Sequence, residues 1–251
     1  MTNVIITGCS GKMGISLFNS AAHRDDLKIV AGIDLVKPQN ANFAYAKSFE
    51  ELHTEADVII DFSNPALLDS MLKYALTNQL PVVICTTGFN EEQKNKIIEA
   101  SKSIPVFYSG NMSLGINLII ELSKKAAAVF GDDFDVEIIE QHHNQKLDAP
   151  SGTALMIADA IKTVRTESEY VYDRHSYRKK REKKEIGIHS VRGGNIVGEH
   201  EIIFAGQDEL LTISHSARSK TVFAVGALNA AVFLKGKQPG MYDMSDLLSS
   251  K

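Results

Sequence analysis

The feature that most constrains this chain is the run Val4-Ile5-Ile6-Thr7, which stops at Gly8 and gives way to a helix-compatible segment, Lys12 to His23. An apolar run without alternation needs cover on both faces, which is the setting of a strand inside a parallel sheet. The same unit then repeats. Lys28 to Asp34, Val58 to Phe62, Pro81 to Thr86 and Pro105 to Tyr108 read as strands. Between them, Pro65 suits the first turn of a helix running to Asn78, and the polar segment Glu91 to Ser103 reads as another helix. Strands alternating with helices predict an α/β fold, a Rossmann-type parallel sheet covered on both sides.

The first strand leads into Gly8-Cys9-Ser10-Gly11-Lys12-Met13-Gly14, with glycines spaced G-x-x-G-x-x-G. This is a relative of the G-x-G-x-x-G dinucleotide fingerprint with Ser10 at the second glycine position. Glycine allows a tight turn and a close approach to pyrophosphate, and the helix N-terminus offers unpaired N–H groups and partial positive charge. Asp34 ends the second strand about twenty residues on, where a carboxylate can accept hydrogen bonds from an adenine ribose. A tight strand–helix turn with no ligand is the competing reading. The ordered strand, turn, helix, strand and acidic residue favour nucleotide. Asp34 repels a 2′-phosphate, and Leu35 follows it where an arginine would welcome one. Lys12 and Lys37 soften the choice, so NADH is expected to be preferred and NADPH tolerated. Cys85-Thr86-Thr87-Gly88 and Ser109-Gly110-Asn111-Met112 lie just past strand ends, where open sheets bind ligands; each alone reads equally as an ordinary loop.

After Asn111 the pattern changes. Ser113 to Phe130 reads as a long helix, and Phe134 to Glu140 alternates apolar and charged residues like a strand with one buried face. A helix over Ser151 to Val164 follows, then strands over Ile186 to Val191, His200 to Phe204 and Leu210 to Ser216, and an Ala-rich helix over Thr221 to Leu234. This predicts a second, α+β domain with an antiparallel or mixed sheet. Composition alone does not say which domain the last helix joins.

With 44% hydrophobic and 23% charged residues, the chain is too apolar to be disordered. A net charge of −4 gives no bulk attraction to nucleic acid or anionic lipid. No apolar run reaches the roughly 20 residues of a membrane span, and no secretory signal precedes the first strand, so a cytoplasmic protein is expected. Cys9 and Cys85 are too few for a disulfide framework or metal cluster and read as small, reduced, packed residues. The basic run Arg178 to Lys184 reads as a mobile, solvated loop between a helix and a strand rather than a nucleic-acid patch.

The segment Glu140-Gln141-His142-His143-Asn144-Gln145-Lys146-Leu147-Asp148-Ala149-Pro150-Ser151-Gly152-Thr153-Ala154 carries the most chemistry. Ser151 is a natural N-cap, leaving the N–H groups of Gly152 and Thr153 to face a carboxylate, with the Thr153 hydroxyl beside them. His142 and His143 can exchange protons near neutral pH, and Lys146 adds a positive charge. Adjacent histidines on an extended segment diverge, and no partner stands at ligand spacing, so no metal is expected.

This segment resembles the signature of the dihydrodipicolinate reductases, His-His-x-x-Lys-x-Asp-x-Pro-Ser-Gly-Thr. The likeness extends over the chain: the glycine loop, Asp61-Phe62-Ser63, Thr86-Thr87-Gly88-Phe89, Asn111 with Ser113, Val191 to His200, and Tyr242-Asp243-Met244. The resemblance implies reduction of a cyclic dicarboxylate imine in lysine and diaminopimelate biosynthesis, with NAD(P)H as hydride source. It implies His142 as acid/base, Lys146 as proton donor, and His143, Gly152 and Thr153 as substrate-binding positions. It also implies that residues 221–251 return to a nucleotide domain spanning 1–111, leaving 112–220 for substrate and for a homotetramer joined through the second-domain sheets. The chain departs from the family at Cys9 and Ser10, at Cys85 and in the more basic 178–184 loop. Two rivals remain: a Rossmann dehydrogenase acting on an amino acid, which would not need these motifs, and a non-catalytic NAD(P)-sensing protein, which would be expected to lack His142 or Lys146.

Overall fold

The runs Val4–Ile6, Val58–Ile60 and Val82–Ile84 have no solvent exposure at any residue, and they form neighbouring strands of one sheet. The computed structural model describes every residue except Asn40, Tyr177 and Lys251. Its contacts divide the chain into two units, Met1–Ser113 with Lys220–Lys251, and Leu114–Ser219. Lys251, the last residue of the segment expected to return to the nucleotide domain, lies outside the described residues.

In chain order the first unit begins β1 (Thr2–Thr7), α1 (Lys12–Ala21), β2 (Leu27–Ile33), β3 (Ala44–Ala46), β4 (Val58–Asp61), α2 (Leu68–Asn78), β5 (Val82–Ile84), α3 (Glu91–Ser101) and β6 (Pro105–Tyr108). The second unit follows with α4 (Leu114–Phe130), β7 (Asp135–His142), α5 (Gly152–Lys162), β8 (Glu169–Val171), β9 (Glu185–Arg192), β10 (Gly198–Ala205) and β11 (Leu210–Ala217). The chain then returns to the first unit through α6 (Thr221–Leu234), β12 (Gly240–Tyr242) and α7 (Met244–Ser249).

The first sheet is parallel throughout, in the order β12-β6-β5-β4-β1-β2-β3. The direction of winding reverses between β1 and β4, which is the switch point where doubly wound sheets leave a crevice for ligand. Because all strands point the same way, the turns after β1, β5 and β6 emerge at one edge.

The second sheet is mixed. Its order is β11-β10-β7-β9-β8, with β7 parallel to β9 and antiparallel to β10. Alternate residues of β7 are buried, and Val136 and Ile138 lie in one core with Ile119 of α4, Ile157 of α5 and Phe204 of β10. Each such side chain stabilises the unit by about 1.5–3 kcal/mol relative to exposure. Toward the C-terminal end of β7 the same face turns polar: Glu140 and His142 succeed Val136 and Ile138. Their ladder neighbours turn polar with them, Ser190 and Arg192 on β9 and His200 on β10.

The basic run differs from its expected form. It joins β8 to β9, and within it the Arg181 side chain is only 15% exposed. That guanidinium donates to Asp135 at 2.7 Å, to Glu137 at 3.0 Å and to the carbonyls of Val136, Glu182 and Glu185. A planar five-donor group can tie a loop to a strand in this way where a lysine cannot. Arg181 is therefore a packed structural residue and not a solvated one.

Candidate functional site

The first unit holds the glycine turn. Gly8 has φ +73°, and a Cβ there would lie 2.3 Å from the Phe62 carbonyl oxygen; one on Gly14 would lie 2.3 Å from the carbonyl of Gly8. Only glycine lets the turn close on itself this tightly. Gly11 caps α1 without a side-chain hydrogen bond, so the helix N-terminus over Lys12 and Met13 carries no side-chain acceptor of its own. Ser10 donates twice to Asp34 Oδ2, from its N–H at 2.9 Å and its hydroxyl at 2.6 Å, while Leu35 N–H donates to Oδ1 at 2.7 Å. Burial opposes ionisation of Asp34, but these bonds outweigh it and hold the carboxyl below its usual range. Asp34 thus clamps the glycine turn, a role that its sequence position did not reveal.

A cavity of about 430 Å³ is lined by Gly8, Ser10, Gly11, Asp34, Leu35 and Ser63 among others. A more apolar cavity of about 460 Å³ borders Cys9, Ile15, Phe18 and Phe43. The first has both the carboxylate and the glycine turn at its wall, which suits a nucleotide better. Cys9 is buried, and burial together with the Asp34 charge pushes its thiol up to about 11, so it remains protonated. Burial and the Asp61 charge raise the Cys85 thiol too. Thr86, just past β5, has a buried hydroxyl with no partner among the described residues, while Thr87 is exposed. Past β6, Ser109 Oγ donates to the Asn111 carbonyl at 3.1 Å and Asn111 Oδ1 accepts from Ser113 N–H at 2.8 Å; Gly110 is exposed and Met112 buried. An orphaned buried hydroxyl, a turn only glycine permits and an uncapped helix N-terminus on one sheet edge fit a dinucleotide.

In the second unit the segment after β7 folds back over the end of its sheet. Gly193 N–H bonds the His142 carbonyl at 2.9 Å, and Asn144 N–H bonds that of Gly194 at 3.2 Å. Ser151 Oγ accepts from Ala154 N–H at 3.2 Å, capping α5. Gly152 is exposed with open space before it, and Thr153 is half-buried. Lys146 Nζ pairs with Asp148 Oδ1 at 2.9 Å, and His143 is half-buried nearby in sequence.

His142 is 9% exposed and Glu140 is completely buried. The two are joined at 2.6 Å between His142 Nδ1 and Glu140 Oε2. Burial opposes the Glu140 charge, but hydrogen bonds from Arg192, Ser190, His142 and Ser151 N–H overcome it and hold the carboxyl down to about 2. For His142 burial prevails over Glu140, and Lys146 and Arg192 act with it, so the imidazole titrates below its ordinary value. His200 packs edge-on against His142 with centroids 5.3 Å apart, and burial, then the charge on His142, brings it down to about 4. Sequence reasoning gave no role to Glu140, Arg192 or His200. The signal was present, since the alternation along β7 reverses at Ile139-Glu140 and turns a charge inward. Among the described residues no group of three or more His, Cys, Asp or Glu side chains is placed to hold a metal ion, and no helix is long and apolar enough to cross a membrane.

A parallel sheet with this glycine turn, followed by a unit rich in histidine and helix-terminal donors, defines a Rossmann-type oxidoreductase. Known proteins narrow the class. The family profile described as dihydrodipicolinate reductase, N-terminus, matches residues 2–112, and that described as dihydrodipicolinate reductase, C-terminus, matches residues 115–248. The 4-hydroxy-tetrahydrodipicolinate reductase of Clostridium novyi is 50% identical over the full length of both chains. That of Caldanaerobacter subterraneus is 52% identical over 99% of this chain and 98% of the relative. Among solved structures, dipicolinate-bound dihydrodipicolinate reductase from Paenisporosarcina sp. TG-14 superimposes with a TM-score of 0.80 at 28% identity, covering 97% of each chain. The chain belongs to the dihydrodipicolinate reductase family.

Proposed function

We infer that this chain reduces 4-hydroxy-tetrahydrodipicolinate, by way of dihydrodipicolinate, to tetrahydrodipicolinate with NAD(P)H, a step of lysine and diaminopimelate biosynthesis. The observation that carries this reading is the continuous segment that places His142 at the end of β7, Lys146 on the loop that follows and the open N-terminus of α5 after it. A ring with two carboxylates needs anion contacts and a proton source together. Gly152 and Thr153 at the helix start, with His143, take a carboxylate. Lys146 supplies positive charge and a proton to the ring, and His142 serves as the acid/base group; such assistance is typically worth about 10²–10⁴-fold in rate.

Reduced nicotinamide, when bound, supplies the hydride. Its dinucleotide is held by Gly8, Cys9, Ser10, Gly11, Lys12, Met13 and Asp34, with Cys85, Thr86, Thr87, Ser109, Gly110, Asn111 and Met112 completing the sheet edge. The first unit is thus the nucleotide domain and the second the substrate domain. NADH is the preferred donor, because Asp34 is held ionised beside Leu35 and repels a 2′-phosphate. A kcat/KM favouring NADPH by about tenfold or more would refute that preference.

The enzyme works in the cytoplasm as a homotetramer. Leu210 and Leu211 on the edge strand β11 are exposed and suit burial against another copy, which a mass measurement in solution checks. The activity is tested by following nicotinamide absorbance with freshly generated substrate. Turnover is expected; bound NADH without turnover would point instead to a sensor or a different dehydrogenase.

A further inference from the structure

Glu140 is an ionised side chain with no solvent exposure, an arrangement that is expensive unless its lone pairs are met. They are met by His142, Ser151, Arg192 and Ser190. Oε2 accepts from His142 Nδ1 at 2.6 Å, and Oε1 accepts from Ser151 N–H at 3.1 Å. Arg192 lies across both as a fork, Nη1 to Oε2 at 2.8 Å and Nη2 to Oε1 at 2.7 Å. The same guanidinium also donates to the Asp148 carbonyl at 2.7 Å and so holds the loop that carries Lys146. One carboxylate therefore joins the acid/base histidine to the N-cap residue of the anion-binding helix.

We propose that Glu140, clamped by Arg192, is the positioning residue of the reaction site. It selects the Nδ1–H tautomer of His142, leaves Nε2 as the ring nitrogen that exchanges protons, and ties that ring to the start of α5. His142 Nε2 makes no hydrogen bond among the described residues, and its neighbour is Gly198, which has no side chain to obstruct it. A carboxylate on Nδ1 fixes the tautomer and stabilises the imidazolium as it forms. The charged and titratable groups around His142 are Glu140, Lys146, Arg192 and His200. Of these, Glu140 is the one that favours the protonated ring by direct hydrogen bonding. The proposal rests on His142 being the proton-transfer group.

Glu140→Gln tests it. An amide can offer either an oxygen or an NH₂ to Nδ1, so the tautomer is no longer set. The variant is expected to lose about 10²-fold in kcat with little change in KM or NADH affinity. The limb of the pH profile assigned to His142 should move to lower pH, and Glu140→Asp should recover part of both. In a His142→Ala background, Glu140→Gln should cost little more, because it acts through the ring already removed. Arg192→Lys keeps the charge and loses the fork; it should give an intermediate loss, which keeps the test available if Glu140→Gln does not fold. Wild-type kcat and an unmoved pH limb in Glu140→Gln or Arg192→Lys, with His142→Ala inactive, would overturn the positioning role alone. A Glu140→Gln penalty undiminished in the His142→Ala background would overturn it equally. A fully active His142→Ala would instead remove the reading on which it rests.

Discussion

Ser10 and Asp34 are joined twice through one oxygen, the Ser10 N–H at 2.9 Å and its hydroxyl at 2.6 Å both donating to Asp34 Oδ2. The fingerprint glycine would offer only the first of these bonds. The serine therefore trades a bare backbone for a second anchor between the glycine turn and the end of β2. Hydrogen bonds to a charged acceptor are worth about 1.5–3 kcal/mol when shielded, and less here because Asp34 is only half-buried.

Ser10→Ala is expected to destabilise the first unit by about 1 kcal/mol and to weaken NADH binding several-fold, as read by urea unfolding and fluorescence titration. Asp34→Asn removes the charge that repels a 2′-phosphate, so the ratio of kcat/KM for NADPH over NADH should rise by about tenfold. An unchanged ratio would mean that the charge is not what the cofactor meets.

His142→Ala and Lys146→Ala should each lower kcat strongly, within the roughly 10²–10⁴-fold range of general acid–base assistance, and leave NADH binding intact. Steady-state turnover and direct titration of NADH separate the two effects. Near-wild-type turnover in either variant would sink the roles assigned to them.

Most of the parallel sheet was legible because its central strands hold unbroken apolar runs with a glycine or proline close by, as at Val4–Ile6 ahead of Gly8 and Val82–Ile84 after Pro81. The strands that escaped notice, β3, β8 and β12, are each three residues long and each end a sheet. An edge strand has one neighbour and little burial, so its sequence carries no period to read. The helix α7 was missed despite a signal, the reciprocal capping of Asp243 and Asp246. In the site, His142, Lys146 and Ser151 stood out as chemistry on one segment between a strand and a helix. Glu140 did not, because its inward position shows only if the period of two set by Val136 and Ile138 is carried past Ile139, and a charge there has no visible partner nearby in sequence. Its partner Arg192 is far off in sequence, and only the β7–β9 register brings the two together.

The buried histidines predict how the second unit responds to acid. His200 titrates at about 4 in the fold against about 6.5 in an unfolded chain. Above about pH 6.5 both states are neutral there and the group contributes nothing. As pH falls from about 6.5 toward 4, the unfolded chain takes up a proton that the folded chain refuses, so stability is lost, by up to about 3 kcal/mol. His142 and His215, both lowered chiefly by burial, act in the same direction. The lowered Glu140 carboxyl adds a loss in the same direction, but only below about 4.5, as it is protonated toward about 2. Urea midpoints should therefore fall between about pH 7 and 4.5. His200→Gln, which keeps a polar group facing Ser151, should flatten that slope; a slope equal to wild type would remove His200 as its cause.

Gly198 offers a way to disturb the reacting ring without touching a polar group. A Cβ there would lie 3.1 Å from His142 Nε2, close enough that the ring must give by a few tenths of an ångström. The ring has little freedom to do so. Its Nδ1 is held at 2.6 Å by Glu140, and His200 stands against its face with centroids 5.3 Å apart. On the stability side, overpacking of about 1–3 kcal/mol is partly offset, because replacing a strand glycine returns about 0.4–1 kcal/mol by restricting the unfolded chain. Gly198→Ala should therefore shift the unfolding midpoint modestly while kcat falls by at least about tenfold, since the added methyl sits where Nε2 must meet its proton partner. A large loss of stability with unchanged kcat in the folded fraction would show that Gly198 serves the sheet alone. The expected outcome, a small stability change with a large fall in turnover, places it in front of the histidine that Glu140 aims.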